Sequence, residues 1–171
     1  MPRRTIWKER SAMKITVLCV GRIKEDYFTD AIREYAKRLS RYVKLEIAEV
    51  EDEKTPDKAS DAENAAIKEK EGARLLARLP EDAYVIALAI DGKAPDSVEL
   101  SQHIEELGVR GKSHLCFVIG GSLGLSPKLL ARADESLSFS RMTFPHQLMR
   151  VILLEQLYRS FRIMRGEPYH K

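Results

Sequence analysis

The chain has 171 residues, 44% hydrophobic and 32% charged, which is the balance of one ordinary globular domain with room for a buried core. Its formal net charge of +3 is matched by residues 1–12 alone, where Arg3, Arg4, Lys8 and Arg10 face only Glu9, so bulk basicity does not argue for a nucleic-acid partner. Its two cysteines, Cys19 and Cys116, each sit in an apolar run, which excludes a disulfide scaffold or a zinc cluster and suits a reducing cytoplasm.

Residues 1–12 lack the apolar stretch of a secretory signal and read as an extension ahead of Met13, a second candidate start. No apolar run approaches the length of a membrane span. Lys14–Val20 has a strand pattern ending at Gly21. Tyr27, Phe28, Ala31, Ile32, Tyr35 and Leu39 then recur at helical spacing. Val43, Leu45 and Ile47 alternate with Lys44 and Glu46, which predicts a half-buried strand. The polar stretch 51–61, with Pro56, predicts an exposed loop. Ser60 and Glu63 have capping-box spacing and open a helix that stops at Pro80.

Residues 83–90 are continuously apolar, as in a strand buried on both faces, and Asp91-Gly92 follows as a turn signal. Asp96 and Ser97 can cap a helix that carries Leu100, Ile104 and Leu107 on one face. Residues 115–119 form another apolar strand, followed by Gly120-Gly121-Ser122-Leu123-Gly124. Ser126-Pro127 starts a short helix. Leu137 and Phe139 mark a short last strand, residues 145–165 a long helix, and residues 166–171 a tail. This alternation predicts an α/β domain spanning residues 13–171, with a mostly parallel sheet covered by helices on both faces.

In such sheets ligands bind beyond the carboxyl ends of the strands. One candidate end is the glycine loop 120–124, where backbone can approach a ligand closely. It lacks both the G-x-G-x-x-G spacing of a dinucleotide site and the G-K-[ST] of a P-loop. The other is the segment from Ser138 to His146, which enters a helix that Thr143 can cap and whose amides favour an anion. The long helix is apolar on most sides. Leu154 and Leu157 find no obvious room in a one-domain core, which predicts a subunit interface. Residues 141–171 carry six basic side chains against Glu155 and Glu167, a local +4 that a phosphate backbone would feel. Spacing alone makes Tyr169-His170-Lys171 a frayed terminus.

The run Val118-Ile119-Gly120-Gly121-x-x-Gly124-Leu125, the run Leu137-Ser138-Phe139-Ser140-Arg141-Met142-Thr143-Phe144-Pro145-His146, then Leu148-x-Arg150-Val151, Glu155-Gln156-x-Tyr158-Arg159 and the terminal Pro168-Tyr169-His170 carry a resemblance. Together with the first strand they resemble the ribosomal RNA large subunit methyltransferase H family of the SPOUT class, over residues 13–171. The resemblance implies a trefoil-knotted C-terminal half, a homodimer joined through the long last helix, and methylation of N3 of a pseudouridine in helix 69 of 23S rRNA. It implies S-adenosylmethionine (SAM) as methyl donor, held by Leu88, Gly120, Phe139, Ser140, Arg141, Met142, Thr143 and Phe144. A sulfonium methyl is already activated, so no metal is called for.

The resemblance further implies a site completed by the tail of the other subunit. His170 is the expected base or base-orienting residue, Tyr169 the stacking partner of the target base, and Arg150 an anion or phosphate contact. Arg159 and Arg162 are expected on the rRNA backbone. Two other classes bear on the reading. A nicotinamide-dependent oxidoreductase needs glycines that Gly21, standing alone, does not supply. A ribosome-binding protein of the same fold without catalysis would bind RNA and transfer no methyl.

Overall fold

The computed structural model describes residues 13–171; the basic extension ahead of Met13 lies outside the described residues. Five strands and five helices alternate in the order β1 (Lys14–Val20), α1 (Asp26–Leu39), β2 (Lys44–Val50), α2 (Asp61–Arg78), β3 (Tyr84–Lys93), α3 (Ser97–Val109), β4 (His114–Ile119), α4 (Pro127–Arg132), β5 (Glu135–Leu137) and α5 (His146–Met164). The sheet order is β2-β1-β4-β3-β5 and every pairing is parallel. All five carboxyl ends therefore open on one edge of the sheet, which is where a parallel sheet offers a crevice.

The alternation of side chains along the strands divides the core in two. Ile15, Val17, Cys19, Ile86, Leu115 and Phe117 pack one face against α1, α3 and α5. Leu18, Val20, Val85, Ala87, Cys116 and Val118 pack the other against α2 and α4. β4 lies inside the sheet and all six of its residues are buried. β2 lies at an edge and is half-buried, as its alternating charges predict. Burial pushes the Cys19 and Cys116 thiols up to about 12, so both are unreactive apolar fillers.

Local signals explain most helix starts. Ser60 and Glu63 close their capping box at 3.2 and 2.6 Å. At α3 the cap is Asp96 rather than Ser97, bonded reciprocally with Glu99 at 2.8 and 2.7 Å.

Between β3 and α5 the structure departs from the sequence reading at four places. Asp91-Gly92 is no turn: β3 continues through both to Lys93, which pairs with Leu137 across a bulge. A Cβ at Gly92 would lie 2.7 Å from the Leu137 backbone, so glycine is there to admit β5. β5 stops at Leu137, which leaves Phe139 in the segment beyond the strand. Thr143 does not cap α5; Pro145 holds that position and no side chain bonds the free amides. Leu154 and Leu157 do have room in the core. Both are 0% exposed within the single chain, packed with Leu153 and Phe161 against the sheet. Any surface that α5 offers a second copy is built from half-buried residues such as Leu148, Val151 and Ile152.

Truncating one of these leucines tests the assignment. Leu157→Ala removes a fully enclosed side chain, and unfolding in urea should show a loss of about 3 kcal/mol. A loss below about 1 kcal/mol would place Leu157 outside the core.

Candidate active site at the carboxyl edge

The glycine loop closes tightly on itself. Gly124 N–H donates to the Gly121 carbonyl at 3.1 Å, and the two residues form an isolated bridge. Gly120 is buried, and a Cβ there would stand 2.8 Å from the carbonyl carbon of Gly124 and 2.9 Å from its oxygen. The loop therefore keeps its shape only with glycine at 120. Beyond β5, the Ser138 hydroxyl donates to the Ser140 carbonyl at 2.9 Å, and the Met142 amide donates to the Ser140 hydroxyl at 2.9 Å. This turn leaves Arg141, Met142 and Thr143 exposed and Phe139 and Phe144 half-buried.

Leu88 lies within β3, paired with Leu137. β4, β3 and β5 are consecutive in the sheet, so Leu88, Gly120 and residues 139–144 come from adjoining strands and their carboxyl ends. The family resemblance implies cofactor contacts at these residues, and the fold brings them to one edge of the sheet.

The tail is elsewhere. α5 spans about 28 Å, from His146 beside the carboxyl edge to Met164. Beyond it the chain folds back along α5 and is held at every step. Glu167 accepts from the Tyr42 hydroxyl at 2.8 Å and pairs with Arg162, which donates to the Pro168 carbonyl at 3.0 Å. The Tyr169 hydroxyl donates to Glu155 at 3.0 Å, and its ring meets Tyr158 edge-on at 4.8 Å. Arg159 lies 4.7 Å from the Tyr169 ring, pairs with Glu155 at 2.5 Å and bonds His170 Nδ1 at 3.2 Å. Burial and the Glu155 bond push the Tyr169 phenol up to about 12. The tail is thus no frayed terminus. Its anchor at Glu155 lies about 14 Å along the helix axis from His146.

Arg150 is neither in the tail nor on the surface. It is 2% exposed and closes the gap between α5 and the ends of β1 and β2. Nη1 pairs with Glu49 at 2.6 Å, and Nη2 donates to the Gly21 carbonyl at 2.7 Å and toward that of Val20 at 3.4 Å; only Nε lacks a partner. Its charge is already engaged within the chain, so its direct effect is on the placement of α5.

Several residues at this edge escaped the sequence reading. Glu71 of α2 is 4% exposed and accepts the Glu53 amide at 3.0 Å. A Cβ on Gly121 would stand 3.0 Å from its second oxygen. Desolvation raises its proton affinity, opposed first by the Glu53 amide. It shares the Leu75 face of α2, and nothing in its spacing marks it as buried. A cavity of about 630 Å³ also opens between α3 and the β3–β5 margin, beside Lys93, His103 and Glu135. It includes none of the residues expected around a cofactor, and His103 is bound to Glu135 at 2.6 Å, which also accepts from the Tyr84 hydroxyl. The residues expected around a cofactor lie instead on β3 and at the carboxyl ends of β4 and β5.

A family model described as "Predicted SPOUT methyltransferase" matches residues 13–170. The chain is 60% identical over 159 residues to ribosomal RNA large subunit methyltransferase H of Clostridium novyi (strain NT), covering 93% of this chain and 100% of that one. It is 57% identical, with the same coverage, to the protein of that name from Enterococcus faecalis (strain ATCC 700802 / V583). Among solved structures, a tRNA (m1G37) methyltransferase from Aquifex aeolicus superposes with a TM-score of 0.54 at 12% identity, over 94% of this chain and 75% of that one; the likeness is one of fold.

The Arg150 anchor is open to direct test. Glu49→Gln leaves a buried guanidinium without its counter-charge and should lower unfolding free energy by roughly 2 kcal/mol, less than a wholly buried pair because Glu49 is 37% exposed. Paired with Arg150→Met, much of the loss should return. Single and double variants of wild-type stability in urea would show that the pair holds nothing.

Proposed function

The chain belongs to the SPOUT methyltransferase family, and on that premise we propose that it transfers the methyl group of SAM to N3 of a pseudouridine in helix 69 of 23S rRNA, as a cytoplasmic homodimer. The observation that carries the reading is the convergence of Leu88, Gly120 and residues 139–144 at three adjoining strand positions, in a chain that covers the whole length of its rRNA methyltransferase relatives. The strand order supports the knotted C-terminal half of the class: β4 inserts between β1 and β3, and β5 returns beyond β3.

The residues gathered at this edge suit a partly apolar cofactor. The glycine loop presents backbone groups rather than side chains, and a Cβ at Gly124 would meet nothing within 4 Å. Met142, 73% exposed, and the half-buried Phe139 and Phe144 supply apolar surface beside it. When bound, SAM supplies a methyl group already activated by its sulfonium.

The chain's own contribution is placement and charge. The 120–124 loop and the 139–144 turn orient the donor, and the α5 anchor holds the turn against the sheet. The target base has to be gripped from outside the crevice. Tyr169 is the stacking surface for it and His170 its polar partner, reaching the crevice of the other subunit because a chain's own tail is tied far along α5. Arg165 lies 4.7 Å from the Tyr42 ring and Arg38 lies 5.4 Å from that of Tyr35. Arg159 and Arg162 are largely covered and paired with Glu155 and Glu167, so on this arginine–tyrosine surface the more open Arg165 and Arg38 suit a phosphate backbone.

Incubation with methyl-labelled SAM and ribosomes from a strain lacking the modification tests the reading. Label should enter 23S rRNA at one pseudouridine of helix 69. Binding to ribosomes without transfer would favour the non-catalytic alternative. Gly120→Ala should keep the fold but displace the loop, weakening SAM binding at least tenfold, about 1.4 kcal/mol, in a calorimetric titration. Unchanged affinity would remove Gly120 from the site.

A further inference from the structure

The imide nitrogen of the target must lose its proton to attack a methyl group, so some group has to receive it. The four histidines of the chain are distinguishable by what already binds them. His114 is held by Thr16 at 2.8 Å and Asp82 at 2.9 Å, at the amino edge of the sheet. His103 is held by Glu135. His170 is held at Nδ1 by Arg159. A guanidinium only donates, so Nδ1 carries a lone pair and the neutral ring has its proton on Nε2. His170 therefore presents an N–H donor outward. Tyr169 donates its phenolic proton to Glu155 and holds it tightly. Neither tail residue, as held here, has a free basic atom to offer.

His146 differs from the other three. Neither of its ring nitrogens makes a hydrogen bond among the described residues, and neither is sealed from solvent. It opens α5, two residues after Phe144. A Cβ built on Gly21 would lie 3.7 Å from His146 Nε2 and 3.7 Å from Asp52, so these three groups meet just beyond β1 and β2. Gly21 has φ 85°, a left-handed conformation that glycine adopts without strain, and it leaves the space in front of the imidazole open. In the sheet, β1 adjoins β4 on the side away from β3. The expected cofactor groups use β4, β3 and β5, so His146 stands on the β1 side of them, next to the strand that ends in Gly120.

On the methyltransferase reading above, we propose that His146 accepts the imide proton, while His170 of the opposite subunit donates a hydrogen bond to the target base. In the step, the N3–H bond breaks and its proton passes to His146. The nitrogen lone pair forms the N–CH3 bond as the S–CH3 bond breaks, and that electron pair stays on sulfur, giving a neutral thioether. The imidazolium then loses its proton to water.

The surroundings of His146 suit this role. Burial and the Arg150 charge hold its proton affinity below the ordinary histidine value, against the smaller opposing pull of Asp52. Glu49 acts on it only through its pair with Arg150, and Cys19 lies behind that pair on β1. The ring is therefore the free base near neutral pH. Protonation must stop the reaction, so the rate should rise with pH through a value below the usual histidine range and level off above it.

The test uses the full-length protein with histidine ring nitrogens labelled by ¹⁵N, then single-turnover transfer to unmodified ribosomes. Nuclear magnetic resonance should show His170 as the Nε2–H tautomer and His146 titrating below the ordinary histidine range. His146→Asn and His146→Gln should bind SAM as wild type and lose at least a hundredfold in rate near neutral pH. That loss should shrink as pH rises toward the range where the imide ionises unaided. His170→Asn should slow transfer by a constant factor at every pH. A His146 variant within threefold of wild type, or one with a loss that does not change with pH, overturns the assignment. So does a pH-dependent loss confined to His170→Asn. A wild-type protein that binds SAM but never methylates ribosomes fails at the earlier step, the function itself.

Discussion

The buried guanidinium of Arg150 is the contact on which the carboxyl edge depends. It ties the first turns of α5 to Glu49 of β2 and to the backbone carbonyl of Gly21, and toward that of Val20. No side chain caps α5, so its start is fixed by this internal tether rather than by local chemistry. The segment 139–144 runs between β5 and that start, so its course is set by both ends being held. A buried charge of this kind is a weak source of net stability, because desolvation offsets most of the attraction. Its consequence is positional: it aligns α5 and with it His146 and the turn before it.

The length of α5 then imposes a second constraint. The carboxyl edge lies at its first turn, while Tyr169 and His170 are tied to its middle, at Glu155 and Arg159. The tail is held on its own helix by Glu155, Arg159, Arg162 and Tyr42, so it is presented as a rigid surface. A rigid surface displayed away from its own crevice is useful to a neighbour. In the proposed dimer one chain contributes the cofactor and proton-accepting groups and the other the grip on the base. Positioning of this sort accounts for a large share of what a transfer between two bound molecules requires.

Much of this was legible in the sequence for identifiable reasons. Lys14–Val20 was read without error because a strand ending in glycine leaves little choice, and Ser60 with Glu63 marked a helix start through a bond they do form. Where the reading failed, a distant neighbour decided. Asp91-Gly92 has turn chemistry, but β5 arrives alongside and draws it into the sheet. Leu154 and Leu157 looked surplus because a helix apolar on most sides can face the core, a partner or both. Arg150 carried no sign of burial, since its carboxylate partner lies 101 positions away. The tail residues were suggested by family resemblance alone; the hydrogen bonds that pin them involve partners up to 125 positions distant and have no local signature.

The division of one site between two chains is tested most directly by a mixed dimer in which one subunit lacks residues 168–171 and the other carries Gly120→Val. If a tail serves the opposite crevice, the truncated subunit keeps its own crevice and receives an intact tail, so one working site remains and methyl transfer to ribosomes should proceed at about half the wild-type rate per dimer. Each parent homodimer should be inactive. A mixed dimer that is folded and as inactive as its parents would contradict the shared site and return each tail to its own chain.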